Sequence, residues 1–225
     1  MEQQELTYRF REMGKQLGYT SKWKPSFLFE TLKKSNYSME EKVGFVLYCY
    51  GWNGHRCIIS SASAQVKEYD ISMFSRGKQF VEQLDNLIFP CKNSLTKSGS
   101  HVWVTLSPKP VITAGVSAHF NEHVIPIGME RYFDGYEDDN ITNCWENTTI
   151  SPANLDFDQV SLFLGKGGKV YWLCYDGDSL GVAADNLLHF FSVRFSFEED
   201  KLLFGGRTIW TPVDREVMRD YQKNQ

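Results

Sequence analysis

Val160-Ser161-Leu162-Phe163-Leu164, then Gly165-Lys166-Gly167-Gly168, then Lys169-Val170-Tyr171-Trp172-Leu173-Cys174, is the stretch that decides the fold. Two short apolar runs around a four-residue, glycine-rich link read as a β-hairpin, because glycine supplies the backbone freedom that a tight connection needs. Upstream, His101-Val102-Trp103-Val104-Thr105-Leu106 alternates with period two, the mark of a half-buried strand, and Pro108 and Pro110 end it. Downstream, Leu187, Leu188 and Phe191 predict a short helix, after which Val193, Phe195 and Phe197 alternate again.

The chain ahead of this sheet region is helical in pattern. Leu6, Phe10, Met13 and Leu17 form one apolar stripe, and Gly18 offers a stop. Leu28 and Leu32 share a second helical face. Ser38-Met39-Glu40-Glu41 is a capping box in front of Val43, Val46, Leu47 and Tyr50, with Gly51 as the terminator. Phe80, Leu84 and Leu87 mark a further helix. At the far end Thr211-Pro212 reads as a cap with proline in the first turn, which predicts a helix over 212–223. Helices first and a mostly antiparallel sheet after them predict an α+β fold, with N-terminal helices packed on a central sheet. One domain over 1–225 is expected, with a core of about 26–197, helices 3–17 and 212–223 as additions, and an acidic, Asn-rich surface insertion at 134–155.

Composition narrows the function classes. The 225 residues are 42% hydrophobic, ample for a packed core, and the net charge of −4 argues against broad nucleic-acid binding, which needs clustered Lys and Arg. The five cysteines show no C-x-x-C spacing, and the odd number suits a reducing compartment. Met1-Glu2-Gln3-Gln4-Glu5 is wrong for a secretory signal, and no apolar run is long enough to span a bilayer, so a cytoplasmic location is expected.

Several motifs in order resemble the SUKH superfamily, in particular its third branch of bacterial toxin-immunity proteins. They are Gly51-Trp52 with Gly54 and Arg56 after a helix, Pro126-Ile127-Gly128, Gly168-Lys169-Val170-Tyr171, and Gly181 with Asn186-Leu187-Leu188. Lys169 stands where the family carries Arg. The resemblance covers roughly residues 32–191; the first helix and the tail from Gly205 lie outside it, and the acidic insertion is longer than the family implies. It implies a non-enzymatic domain that binds and masks a protein effector, a toxin or a host-defence factor. Related members occur in large DNA viruses, including herpesvirus tegument proteins, where the setting would be counter-defence in the host cytoplasm or nucleus.

In physical terms these residues serve architecture. Gly51 suits the left-handed position after a helix, Trp52 can lock that helix end to the sheet, and Pro126 suits an edge strand or a strand's first residue. Gly128, Gly168, Val170 and Tyr171 build strands and the turn. Recognition is expected elsewhere, on Asp134, Glu137, Asp138 and Asp139 interleaved with Tyr132, Phe133, Tyr136 and Trp145. Aromatic anchors ringed by acids are the composition of an interface for a basic partner. A solvated loop pinned to the sheet is the plainer alternative.

Two catalytic readings compete. His119-Phe120-Asn121-Glu122-His123 fits H-x-x-E-H, which on a helix would bring two imidazoles to one zinc with Glu122 polarising water, as in a hydrolase. Pro126 follows too soon for a long helix, and no third ligand stands out. Cys49 or Cys57 beside His55 could be a nucleophile, but Cys49 sits in an apolar helix that keeps it a neutral thiol. The glycine-rich link joins two strands and lacks the P-loop order. Neither metal nor cofactor is expected. A scaffold or regulatory interaction module is the third alternative.

Overall fold

Three helices lead the chain: α1 (Gln3–Leu17), α2 (Pro25–Lys34) and α3 (Met39–Cys49). They belong to a computed structural model that describes residues 3–52, 77, 80, 83–84, 87–92, 101–106, 113–132, 159–174, 179–198 and 211–212. The α1 stripe is real, since Phe10 and Met13 are buried and Leu6 and Leu17 pack beside them. On α2, Pro25 takes the first turn and Leu28, Phe29 and Leu32 turn inward. The capping box of α3 forms in full: Glu41 N–H donates to Ser38 Oγ, and the Ser38 amide donates to Glu41 Oε2 at 2.7 Å. Its far end closes as a Schellman motif. Gly51 takes φ +100°, its amide donates to the Tyr48 carbonyl, and the Trp52 amide donates to the Leu47 carbonyl at 2.9 Å.

Among the described residues, seven strands follow in a sheet whose spatial order is the chain order, every pair antiparallel: β1 (Leu87–Lys92), β2 (His101–Leu106), β3 (Val124–Tyr132), β4 (Gln159–Gly165), β5 (Val170–Cys174), β6 (Ser179–Ala184) and β7 (Thr211–Pro212). Helix α4 (Thr113–Phe120) precedes β3, and α5 (Leu187–Arg194) follows β6. The fold is α+β with helices N-terminal to an antiparallel sheet, as the patterning predicts. The β4–β5 hairpin is the expected one, with Leu162 opposite Trp172 and Phe163 opposite Tyr171. Gly168 takes φ +100° after a turn closed by its own amide to the Gly165 carbonyl.

The sheet has two unlike faces. Leu87, Phe89, Val104, Leu162 and Trp172 point to the main core, where α5 packs against β6, α3 packs on α5, and α1 and α2 pack on α3. A run of rings joins these layers: Phe29 to Phe195 at 5.3 Å, Phe195 to Phe89 at 5.4 Å, and Phe89 to Phe191 at 5.8 Å. The opposite face gathers Val124, Phe163, Tyr171, Leu173 and Leu180 under Val116 and Phe120 of α4.

Several expectations need correcting. Leu87 opens β1 rather than closing a helix, although residues 80 and 84 are helical; Phe89, two residues on and also buried, is the period-two partner. Val193 lies in α5, and Phe195 and Phe197 lie in the turns behind it. Two helical phenylalanines, Phe190 and Phe191, and two turn phenylalanines, Phe195 and Phe197, converge on one core and mimic strand alternation. Thr211–Pro212 pairs with Ser179 and Leu180 as a strand, not as a helix cap; the rest of that expected helix, 213–223, is outside the described residues. Trp52, expected against the sheet, packs on the main core and sets its ring 6.1 Å from Phe10 of α1.

Pro126 sits neither on an edge nor at a strand's start. It lies in β3, between β2 and β4, at a bulge that shifts the register between Pro126 and Gly128. A bulge tolerates the missing amide. It also reverses the phase of the strand. Ile125 and Ile127 face the main core; strict alternation would bring Met129 and Arg131 there next. The extra residue instead sets Gly128 opposite Leu162 and Glu130 opposite Val160, so the Glu130 carboxylate enters the core at 1% exposure. Arg194, from the last turn of α5, meets it at 2.6 Å and lies 5.4 Å from the Phe190 ring. None of the described helices is long and apolar enough to cross a membrane.

Candidate functional site

The H-x-x-E-H segment is divided by the end of a helix. Helix α4 stops at Phe120, Asn121 takes φ +49°, and the Glu122 amide donates back to the Ser117 carbonyl at 3.0 Å. That is a Schellman closure with asparagine in the left-handed position. His119 therefore ends a helix while His123 leads into β3, so they do not share a helical face. Among the described residues no group of three or more His, Cys, Asp or Glu is placed to hold a metal ion.

Glu122 has a different assignment. One carboxylate oxygen accepts the Gly167 amide and the other accepts the Tyr171 hydroxyl, so one side chain grips both the turn and the second strand of the β4–β5 hairpin. The Lys166 amide adds a bond to the His123 carbonyl at 2.9 Å. The approach is so close that a Cβ on Gly165 would fall 2.7 Å from the Glu122 carboxylate. Phe120 stacks on Tyr171 at 4.2 Å, and His119 meets the Phe120 ring edge-on at 4.9 Å. Burial, reinforced by the Glu122 hydrogen bond and charge, holds the Tyr171 hydroxyl well above the usual phenol range, so it remains a donor. Gly165 and Gly167 of the glycine-rich link make room for this carboxylate.

Cys49 is no better placed for chemistry. Burial pushes its thiol up to about 11, with the Tyr19 hydroxyl opposing only in part, and a neutral thiol is a poor nucleophile. Its supposed partners His55 and Cys57 lie outside the described residues, as does Arg56. Of the expected interface, Tyr132 ends β3 opposite Val102. Phe133, Asp134, Tyr136, Glu137, Asp138, Asp139 and Trp145 lie outside the described residues.

A groove of about 460 Å³ opens where the sequence pointed to nothing. One wall is a flank of α1, with Glu5, Tyr8, Arg9, Glu12 and Gln16. Phe10 and Met13 form its floor, and Tyr37 and Glu41 stand opposite. Arg9 is ion-paired to Glu41, Lys15 reaches Glu12 at 2.6 Å, and the Tyr37 hydroxyl donates to Gln16 Oε1 at 2.6 Å. Backbone donation from Ser38, then the Arg9 charge, holds the Glu41 carboxyl below its ordinary value, so it is ionised at neutral pH. Tyr8 is 62% exposed. The signal in the sequence was Tyr8 standing off the apolar stripe, flanked by Glu5 and Glu12 one turn away on either side.

No family model matches this chain, and comparisons with curated proteins and with solved structures return no match. The motifs singled out in the sequence fall at defined places in the fold. Gly51-Trp52 closes α3, Pro126-Ile127-Gly128 forms the β3 bulge, Gly168 to Tyr171 makes the hairpin, and Asn186 caps α5 by accepting the His189 amide at 2.9 Å.

Proposed function

We propose that this chain is a non-enzymatic protein-binding module on a SUKH-like scaffold, which neutralises or masks a protein effector such as a toxin or a host-defence factor. The observation that carries this reading is the use made of Glu122. The carboxylate that would serve a zinc hydrolase is committed to Gly167 and Tyr171, and its flanking imidazoles are separated by a helix end. With Glu122 engaged in holding the hairpin, action by occlusion fits this segment better than zinc hydrolysis. A preformed face would dock the effector with little rearrangement, and acidic side chains would steer a basic partner.

The test is affinity capture with the full chain from the cell in which it works, followed by reconstitution with the captured protein. One stoichiometric partner whose activity is blocked on binding supports the reading. Many weak partners favour a scaffold, and turnover of a substrate by the chain alone overturns it. Reversing Asp138 and Asp139 to Lys should slow association with a basic effector at low salt; unchanged kinetics would remove the 134–155 segment from the interface.

A further inference from the structure

We propose that α1 is a displaceable strap over a ring-lined socket on α3, and that the socket takes an aromatic side chain from an amphipathic helix of the protein partner when α1 lifts. This rests on the protein-binding reading above and adds a gated contact to the preformed face. The resident helix shows what the socket accepts. Phe10 enters it with ring centroids 5.6 Å from Tyr48, 6.1 Å from Trp52 and 6.3 Å from Phe45. Gly44 is the floor, since a Cβ there would fall 2.5 Å from the Phe10 ring. Three rings around a glycine floor match a flat apolar side chain. Met13 is buried one turn further on, so the mode is a helix laid in a groove with anchors at i and i+3.

The hold on α1 is slight for its length. Among its described residues it buries two apolar side chains, Phe10 and Met13, over 15 residues, whereas α2 buries four over 10. A helix of this length is marginal alone in water, so docking must supply its stability. Its polar ties lie at the surface: Arg9, with a side chain 52% exposed, pairs with Glu41, and Tyr37 donates to Gln16. Exposed ties of this kind add little, and the ion pair weakens with salt. The groove along the flank of α1 already opens down to Phe10 and Met13. At the end of the helix Gly18 holds φ +67° with open space beside it, while Tyr19 keeps its ring 5.5 Å from Phe45. The helix can therefore swing about Gly18 and leave the connection to α2 in place. Elements held this way open before the rest of a fold. A partner helix that binds only the lifted state shifts the population toward it.

Hydrogen exchange of the wild-type full chain tests the strap. Amides from Phe10 to Leu17 should exchange at least ~100-fold faster than those of β4 and β5, and Arg9→Ala should speed α1 about two- to fivefold while leaving the sheet unchanged. Exchange of α1 only together with the sheet overturns the inference. The probe for the socket is a synthetic peptide of residues 3–17, titrated into the full-length Phe10→Ala chain and read at the Trp52 indole resonance. A saturable shift is expected. Binding should be at least ~10-fold weaker to the wild type, whose own α1 fills the socket, and absent for the same peptide carrying Phe10→Ala. No shift, or equal binding by the altered peptide, overturns the inference. So does a Phe10→Ala chain that no longer melts cooperatively, because α1 would then be part of the core. A wild-type dimer with α1 exchanged between copies, seen by sedimentation, would give the socket to a second copy and overturn the partner helix. If a captured effector binds without moving the Trp52 resonance, the socket falls and the binding function stands. If the peptide binds and no effector is captured, the strap stands and the masking function falls.

Discussion

On one face of the sheet, Phe89, Leu162 and Trp172 meet α5 and α3 through a continuous layer of rings and aliphatic chains. On the other, among the described residues, Phe163, Tyr171 and Leu173 meet a single eight-residue helix, and a carboxylate fastens the hairpin to that helix's end. The first face is secured by buried area, at roughly 25 cal/mol per Å². The second has less apolar surface and uses directed hydrogen bonds to fix where the hairpin lies. The polar exception on the first face, Glu130 with Arg194, arises from the β3 bulge and not from the alternation of the strand. Polar groups therefore act oppositely on the two faces: one pair is a burden the core must neutralise, the other a fastener the smaller cluster relies on.

Removing half of the buried pair should have the largest effect. Arg194→Met leaves Glu130 in the core without its cation and should cost about 3–5 kcal/mol in urea unfolding. Adding Glu130→Leu should restore most of it. A double variant as unstable as the single would mean that the pair positions α5, and the contrast between the faces would fail.

Gly44→Ala comes next. Helix propensity alone expects a gain of about 1 kcal/mol. A Cβ there would sit 2.5 Å from the buried Phe10 ring, so overpacking should win with a net loss of about 1–3 kcal/mol. A gain would show that α1 yields easily to α3.

On the opposite face, Gly165→Ala should cost about 1–3 kcal/mol by displacing the Glu122 carboxylate from its donors. In a Glu122→Ala background the same substitution should cost far less. Additive losses in that cycle would mean that the glycine matters for the turn and not for the clamp.

The smallest change is a gain. Ser196 holds φ +60° where α5 ends, and its Schellman bonds, including Phe197 N–H to the Ser192 carbonyl at 2.8 Å, survive without a side chain. Ser196→Gly should add about 0.5–1 kcal/mol, read as a raised Tm.

Helix α3 and the β4–β5 hairpin were legible because their signals are local: a capping box, a terminal glycine, two apolar runs around a turn. Strand β1 was lost because Leu84 and Leu87 mimic a helical face across the junction between two elements. The burial of Glu130 was not legible, since it depends on a phase change at Pro126–Gly128 that alternation alone hides. The H-x-x-E-H residues were visible as a group. Their separation depends on Asn121 adopting a left-handed conformation, and Glu122 found its partners 45 and 49 residues away. The α1 groove was missed because it lies along the flank of the stripe, where Phe10 and Met13 meet polar residues of α1 and the distant Tyr37 and Glu41.

The central claim is that Glu122 fastens the hairpin and does not serve a metal. Thermal melts of the wild type and of Glu122→Ala, with and without one equivalent of zinc, address it directly. The account expects Glu122→Ala to lower the melting temperature by the same amount in both conditions, with zinc leaving the wild type unmoved. A zinc-dependent rise in the wild type that disappears in His119→Ala and His123→Ala would contradict it.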